Sequence, residues 1–145
     1  MNNTGIRGIF RGEEAQLLSL VLEATSDQEY QALLKGTLEY AAGNGKSILI
    51  VKLMKAMGVV WVPGVSKDVR DSIGDALRAA IRGGHVFILK MMLEHAGTNF
   101  DVNSKNESGL TILHDAARHG KARIVWLLSG RGANLNALDD SGQTP

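Results

Sequence analysis

The fold is decided by residues 109–144, which read GLTILHDAARHGKARIVWLLSGRGANLNALDDSGQT. Gly109 and Thr111 at the start of this stretch recur as Gly142 and Thr144, at an offset of 33 residues. The same offset relates two further pairs, Asn103 with Asn136 and Asn106 with Asp139. Four matching positions at one spacing indicate an internal repeat, in which each unit is one supersecondary element.

Within the repeat, apolar residues recur at i, i+3 and i+4, which predicts two short amphipathic helices. Thr111 supplies an N-cap hydroxyl to the first helix, and Gly120 and Gly132 can take the left-handed conformation that ends each helix. Two short helices and a turn bury too little apolar surface alone, so such units must stack. The apolar positions are Leu113, Ala116 and Ala117 in the first helix, and Ile124, Leu127 and Leu128 in the second.

This unit resembles an ankyrin repeat, a family with a period of ~33 residues and a Thr-Pro-Leu-His-x-Ala signature. Residues 111–116 match that signature except that Ile112 replaces the proline, and Thr144-Pro145 restores it in the next unit. Two earlier units fit with less agreement, at 75–95 and 38–55, and the unit at 75–95 carries Asp75 and Arg78 in place of the threonine and histidine. The resemblance implies an all-α solenoid of stacked helix–turn–helix units with short β-turns or hairpins.

On this resemblance the chain divides into an N-terminal helical region and a repeat array. Residues 1–36 form a helical cap or a decayed repeat, in which one helix covers 13–24 and another starts from a capping box between Ser26 and Glu29. Natural arrays end on a capping unit, so we expect this chain to be part of a longer protein. The array covers 37–145, with units at about 37–67, 73–105 and 106–138 and a truncated unit at 139–145.

The glycine content is high and the proline content is low, with 17 glycines and 2 prolines. Chains carry ~7% glycine on average, so this excess indicates many short turns between helices. The glycines assigned to helix ends and hairpin turns are Gly45, Gly84, Gly109, Gly120, Gly132 and Gly142.

The composition excludes several classes of function. The 16 basic and 15 acidic side chains give a net charge of +1, without the basic excess typical of nucleic-acid binding. Cysteine is absent, which excludes disulfides and thiolate sites and favours an intracellular location, cytoplasmic or nuclear. The longest apolar runs, at 48–51 and 59–62, are far shorter than the ~20 residues of a membrane-spanning helix.

Gly45-Lys46-Ser47 resembles the end of a phosphate-binding loop. That loop needs another glycine five residues before its second glycine and a preceding strand, but Tyr40 occupies this position and a predicted helix precedes it. We therefore favour a turn between two helices. A nucleotide-binding enzyme that uses Lys46 and Ser47 is the alternative function.

No catalytic or metal-binding constellation is evident, so we expect no cofactor and no enzymatic activity. None of the four histidines forms the i, i+4 pair of a helical metal site. His114 corresponds to the signature histidine of the family, and the resemblance implies that it hydrogen-bonds between neighbouring turns.

Three features leave alternatives open. Trp61 lies in an apolar insertion, where packing over the core is favoured and anchoring of a partner is the alternative. Trp126 either packs against an adjacent loop or lies exposed on the outer face. A basic run, free of acidic residues from 116 to 138, is either a solvated face or a contact for an acidic partner. This run comprises Arg118, Lys121, Arg123 and Arg131.

By resemblance, the chain is a non-enzymatic protein–protein interaction module that presents a rigid concave surface to a partner protein, as part of a larger scaffold or regulatory protein. A purely structural role against another domain is a further possibility. We expect a monomer that binds neither nucleic acid, membrane nor small-molecule substrate. The predicted contact positions are Glu107, Ser108, Leu110, Arg118, His119, Leu138, Asp140 and Gln143, with Arg82, Gly83, Gly43 and Asn44 at the equivalent helix ends of earlier units.

Overall fold

The computed structural model describes residues 21, 27–56, 67–96 and 100–145, and these form three helix–turn–helix pairs. The first helices pack side by side along the stack, each second helix packs on its own first helix, and α4 also contacts α6. This is the stacked all-α solenoid that the sequence predicts. The pairs are α1 (Asp27–Gly43) with α2 (Ser47–Ala56), α3 (Lys67–Gly83) with α4 (Val86–Ala96), and α5 (Ile112–Arg118) with α6 (Ala122–Ser129).

Helix α1 runs without a break across residues 36 and 37, where the sequence divides cap from array. Leu34, Leu38 and Ala42 are all buried and lie four residues apart, so one apolar face continues across this point. The predicted helix at 13–24 and the Ser26 capping box fall outside the described residues, except that Val21 is buried in the core.

Helix α3 also begins earlier than its alignment with the third unit predicts. It starts at Lys67, eight residues before Asp75, because buried Ile73 extends the apolar stripe of Ala76 and Leu77 towards the N-terminus. Asp75 therefore lies inside a helix and does not cap one. As a result, α1 and α3 have 17 residues each, whereas α5 has 7.

Small residues line the contacts between units, and they allow the first helices to approach closely. The fully buried alanines of these helices are Ala41, Ala42, Ala76, Ala80 and Ala116. Left-handed glycines end the helices and shape the turns, with φ between 63° and 83°. Among the described residues they are Gly45, Gly84, Gly109, Gly120, Gly132 and Gly142, the same six that the sequence assigns to helix ends and turns.

A buried charged pair joins units 2 and 3. Arg78 occupies the register position of His114, one unit earlier, and is only 8% exposed. Its guanidinium pairs with the buried carboxylate of Asp115 and donates a hydrogen bond of 2.9 Å from Nη2 to the Leu110 carbonyl. Both charges are thus compensated, which a buried ion pair requires.

The charged pair between units 1 and 2 is more exposed to solvent, and a second carboxyl lies beside it. Lys35 Nζ lies 2.7 Å from Asp75 Oδ2, and both side chains are partly exposed. This hydrogen bond raises the pKa of Lys35. Glu39 is half-buried next to this pair, and its burial, with the nearby negative charge of Asp75, raises the pKa of its carboxyl.

We expect the Arg78→Met substitution to destabilise the chain by about 3–5 kcal/mol, because Asp115 would remain buried without its partner. Asp115→Leu alone should cost a similar amount. The double variant, R78M with D115L, should recover most of the loss and retain a cost of about 1 kcal/mol for the unpaired Leu110 carbonyl. Urea denaturation of the four proteins measures the coupling energy, and additive losses would contradict a coupled buried pair.

We expect Glu39→Gln to stabilise the chain at neutral pH, since ionisation of a carboxyl with a raised pKa opposes folding. As pH rises from the ordinary glutamate pKa of 4.5 through the raised pKa of Glu39 in the folded chain, Glu39 ionises and the folded chain loses stability. The gain should stay below about 1 kcal/mol, because solvent screens a half-exposed group.

The gain from Glu39→Gln should vanish in acid, where Glu39 is already neutral. Thermal denaturation at neutral and acidic pH tests this. Glu107→Gln, at an exposed position, is the matched control and should change stability little at either pH. A gain of equal size at both pH values would show that ionisation is not its cause.

Candidate functional site

The turn at 106–110 is built around the side chain of Asn106. Its Oδ1 accepts hydrogen bonds from the backbone N–H groups of Ser108 (3.0 Å) and Leu110 (2.9 Å). The Gly109 N–H donates to the Asn106 carbonyl at 3.0 Å. These bonds fix a tight turn whose tip projects Glu107 and Ser108 into solvent.

The turn at 139–143 repeats this geometry with Asp139. Its Oδ1 accepts from the N–H groups of Ser141 and Gln143, both at 2.8 Å. The hydrogen bond from Gln143 is the main cause that lowers the pKa of Asp139, and the charge of Arg118 acts in the same direction. The equivalence of Asn106 and Asp139 inferred from the sequence is confirmed.

The two turns are tied directly to each other. Lys105 Nζ donates to the Leu138 carbonyl at 2.7 Å, and the two residues lie one repeat apart in sequence. Asp140 packs against Gly109 so closely that a side chain at position 109 would collide with its carboxylate. Gly109 is therefore required for close approach as well as for its backbone conformation.

His114 links the third unit to the turn that follows it. The imidazole is 5% exposed, and its Nδ1 accepts a 3.1 Å hydrogen bond from the Thr111 N–H. With Nδ1 as acceptor, Nε2 carries the proton and donates to the Gln143 carbonyl at 3.1 Å. The predicted role of His114 between neighbouring turns is confirmed, and Thr111 is the predicted N-cap of α5.

Asn103 makes a further bridge between units. Its Nδ2 donates to the Gly132 carbonyl at 3.1 Å, and its Oδ1 accepts from the Asn134 N–H at 2.7 Å. The loops after α4 and α6 are thereby held together.

The ends of the first helices carry the other predicted contact residues. Arg118 is the last residue of α5, and the next residue, His119, has its Nδ1 2.8 Å from the Asp115 carbonyl. At the end of α1, Asn44 Nδ2 donates to the Tyr40 carbonyl at 2.8 Å. The side chains of His119 and Asn44 therefore hydrogen-bond to carbonyls near the ends of their own helices. Arg82 is exposed near the end of α3.

Residues 38–139 match the family model for ankyrin repeats, in three copies. The chain belongs to the ankyrin repeat family. Ankyrin repeats generally serve as protein–protein interaction modules, and the stack of three helix pairs accounts for the three copies.

Several proteins of known name share part of this ankyrin array. Protein phosphatase 1 regulatory subunit 12A of Mus musculus is 34% identical over 83 residues, which is 56% of this chain and 8% of that protein. BCL-6 corepressor-like protein 1 of Homo sapiens is 39% identical over 82 residues, 54% of this chain and 4% of that protein. Tyrosine-protein kinase HTK16 of Hydra vulgaris is 37% identical over 57 residues, 39% of this chain and 8% of that protein. The chain thus spans less than a tenth of the length of these relatives.

The ankyrin structure places the predicted contact residues at the surface. Leu110 is half-buried, and its backbone groups hold the turn and accept the Arg78 hydrogen bond. Arg118 is close enough to Asp139 to affect its pKa, which brings the α5 end near the last turn. Their role in binding stays a prediction. The exposed positions are Glu107, Ser108, Arg118, His119, Leu138, Asp140, Gln143, Arg82 and Asn44, with Gly83 exposed and Gly43 half-buried.

Sequence reasoning missed two of the polar side chains that order these turns, Arg78 and Lys105. Arg78 was recognised only as a departure from the ankyrin signature, although it fills the histidine position and reaches the equivalent carbonyl. The repeat alignment contained a signal for the role of Arg78, because the two acceptor residues, Leu110 and Gln143, lie one repeat apart. Nothing in the sequence pattern indicated that Lys105 donates to Leu138.

Gly45-Lys46-Ser47 lies in the turn between α1 and α2, with Gly45 at φ 73° and Ser47 as the first residue of α2. A helix, not a strand, precedes it, as in the other ankyrin units. The turn interpretation is confirmed, and the geometry of a phosphate-binding loop is not present at this motif. No helix among the described residues combines the length and the apolar character needed to cross a membrane.

Trp126 is 82% exposed, which settles its two alternatives in favour of the outer surface. Trp61 lies outside the described residues, so its two alternatives stay open.

We expect His114→Ala to destabilise the chain by about 2–3 kcal/mol, because the substitution removes two buried hydrogen bonds and leaves the Gln143 carbonyl without its donor. His119→Ala, at an exposed position bonded only within its own helix, is the matched control and should cost less than about 1 kcal/mol. Denaturation measures both losses. Hydrogen exchange of the Gln143 amide should accelerate in H114A alone, and equal exchange in both variants would contradict the bridge.

Proposed function

We propose that this chain is a non-enzymatic module that presents a rigid concave surface, made of turn tips and first-helix ends, to a partner protein. The observation that supports the proposal is that hydrogen bonds fix the conformation of the exposed turns. The two described turns, at 106–110 and 139–143, are each held by their own asparagine or aspartate. A buried side chain of the preceding first helix also donates to a carbonyl of each turn. A surface fixed before binding loses little conformational entropy when a partner docks.

The chemistry of these positions suits a protein partner. Glu107 and Asp140 supply negative charge at the tips, Arg118 supplies positive charge at a helix end, and Leu138 is 52% exposed. Mixed charge with exposed apolar groups is typical of protein interfaces, whereas a phosphate backbone would require a basic surface.

The relatives are consistent with a regulatory or scaffolding role in a larger protein. One is named as a regulatory subunit of a protein phosphatase and another as a corepressor-like protein. We propose the same class of role here, for a monomeric array inside the cell, where a chain without cysteine is at no disadvantage. The kinase relative does not alter this proposal, because the match covers 8% of its length.

A double substitution tests the surface. Arg118→Ala with His119→Ala should reduce capture of specific partners from cell extract by at least tenfold, measured by quantitative mass spectrometry. The melting temperature should change by less than a few degrees, because both side chains are exposed. Lys52→Ala, also exposed but on α2, is the control. Partner recovery unchanged by the double variant would remove this face from the proposal.

The nucleotide-binding alternative has its own test. A ligand present at 100 times its dissociation constant stabilises the folded chain by ~2.7 kcal/mol, which a melting scan resolves. We expect no shift with ATP and magnesium. A shift abolished by Lys46→Ala would instead favour the enzyme.

A further inference from the structure

The side of the stack that is formed by the second helices is strongly basic. The twelve residues that start at each of Gly45, Gly84 and Gly120 hold the turns and the second helices, and they contain seven lysines and arginines but one acid, Glu94. The other described residues contain seven bases and eleven acids. A net charge of +1 for the whole chain therefore conceals a separation of charge between the two sides of the stack.

Large apolar side chains are exposed at two recurring positions of the second helices. The position three residues after the glycine holds Ile48 and Phe87, which are 65% and 69% exposed. The position six residues after it holds Val51 and Trp126, which are also exposed. Because residues i and i+3 share one side of a helix, the two positions form one strip on each helix. With the bases at the same positions, the strips make up what we call the second-helix face: Ile48, Val51, Phe87, Lys90, Arg123 and Trp126.

The starts of α2 and α4 are held side by side. Gly45 and Gly84 both have φ 73°, so the two turns enter their helices with the same geometry. His85 Nε2, in the turn before α4, donates to the Gly43 carbonyl at 3.0 Å. Packed helices lie about 8–10 Å apart. The strips on neighbouring second helices are therefore parts of one surface and are not scattered single residues.

The stacking of units leaves this face open. Unit 2 packs on unit 1 and unit 3 packs on unit 2, yet Ile48, Phe87 and Lys90 are exposed. Other positions of the second helices supply the core, such as Ile50 and Leu89, which are fully buried. Exposure at the positions of the second-helix face is thus a property of units that already have a following neighbour. An exposed apolar surface that recurs in this way is typical of an interaction site.

The two bases of the face lie on opposite sides of its apolar residues. On α4 the apolar residue, Phe87, comes about one turn before the basic one, Lys90. On α6 the order is reversed, with Arg123 before Trp126. A line that joins the apolar residues across the stack therefore has one base on each side. An amphipathic helix with acids on both flanks of an apolar stripe has the complementary pattern.

Charge separates the possible occupants of the face. A second copy of this chain would bring two basic surfaces together, which disfavours self-association. Anionic membranes are typically recognised by about four to eight clustered lysines and arginines, whereas the bases here alternate with apolar residues. Glu94 lies 3.8 Å from Lys90 and 3.5 Å from Arg131, and such exposed pairs contribute little, so they do not neutralise the face.

We propose that the second-helix face binds an acidic amphipathic helix of a partner protein. The apolar side of that helix covers Ile48, Phe87 and Trp126, and its flanking carboxylates pair with Lys90 and Arg123. Aromatic residues and arginine are enriched at protein interfaces, in agreement with this composition. The proposal rests on the proposed protein-binding function, and it adds a second contact surface with its own partner chemistry, separate from the turn tips.

A designed helical peptide of about five turns is the probe, since its length of about 27 Å is enough to cross three packed helices. It has leucine and alanine on one face and glutamate on both flanks. The same peptide with lysine in place of glutamate is the matched control. Anisotropy of a label on the peptide should show that the glutamate peptide binds at least tenfold more tightly than the lysine peptide. Added salt should reduce this difference.

A first pair of variants tests the apolar contact in the first two units. Ile48→Ala with Phe87→Ala should weaken binding of the glutamate peptide by about tenfold or more. Leu135→Ala removes an exposed apolar side chain outside the face and is the control, which should keep the affinity of the original chain. Circular dichroism should show the fold intact in both, because the altered side chains are exposed.

A second pair of variants tests the charges. Lys90→Gln with Arg123→Gln should weaken the glutamate peptide by about fivefold or more, because it removes the attraction on both flanks. Lys67→Gln with Arg70→Gln removes two exposed positive charges from α3 and should leave the affinity nearly unchanged. Equal weakening by the two double variants would show that only the net charge of the chain matters, and it would overturn the proposal.

Other results assign the face to another occupant or to none. Equal binding of both peptides, no binding of either, or unchanged affinity after Ile48→Ala with Phe87→Ala would overturn the proposal. Binding to phosphatidylserine vesicles in place of the peptide, lost in that same variant, would assign the face to a membrane and overturn it. Concentration-dependent dimers abolished by that variant would assign the face to a second copy, with the same consequence.

The second-helix face and the concave surface can fail separately. Loss of cellular partners in the Arg118→Ala, His119→Ala variant, together with no binding of the glutamate peptide, would retain the proposed function and reject the second-helix face. Binding of the glutamate peptide that depends on Ile48 and Phe87, with partner capture unchanged in the Arg118→Ala, His119→Ala variant, would do the opposite.

Discussion

The structure depends on one position of the repeat. At this position a buried polar side chain of a first helix hydrogen-bonds to the turn of the next unit. Arg78 reaches the Leu110 carbonyl and His114 reaches the Gln143 carbonyl, one repeat apart. Contacts between alanine-lined helices have little directionality, so they fix the closeness of the units better than their alignment. A buried donor satisfied by one specific carbonyl fixes that alignment, because any slide leaves polar groups unpaired. The placement of the turns at 106–110 and 139–143 follows from these bonds.

The junctions along the array are unequal. The second and third units share a compensated, buried pair, whereas the first and second share a solvated ion pair beside a carboxyl that burial opposes. Stability in a linear stack is approximately the sum of unit and interface contributions. The contact between α1 and α3, two helices of 17 residues each, is the more extensive helix contact of the two junctions, although its charged pair is the more exposed. The contact residues that we propose for the concave surface lie mainly on the second and third units and on the turn that follows them, where buried polar side chains hold the turns.

The signature motif together with the repeat period was sufficient to predict the family by resemblance, and the local pattern predicted the helix pairs and the glycines that end them, because each depends on residues close in sequence. The N-cap Thr111 and the turn residues Asn106 and Asp139 belong to this class. The prediction failed where packing between units overrides local signals. Helix α3 extends eight residues beyond its expected start, and α1 crosses the expected division, because a neighbouring helix covers the added turns. Arg78 looked like a departure from the pattern, since its partners Asp115 and Leu110 are distant in sequence.

The charged pair between units 2 and 3 also favours one order of stacking over others. Repeats of similar shape are prone to pair out of order while a chain folds. Arg78 finds a carboxylate only in the third unit, because the positions equivalent to Asp115 are Ala79 in the second unit and Tyr40 in the first. Docking of the second unit against a copy of itself would bury an uncompensated guanidinium. The order of the units is thereby encoded in chemistry as well as in chain connectivity, and a duplication or shuffling of these units would have to carry Asp115 along with Arg78.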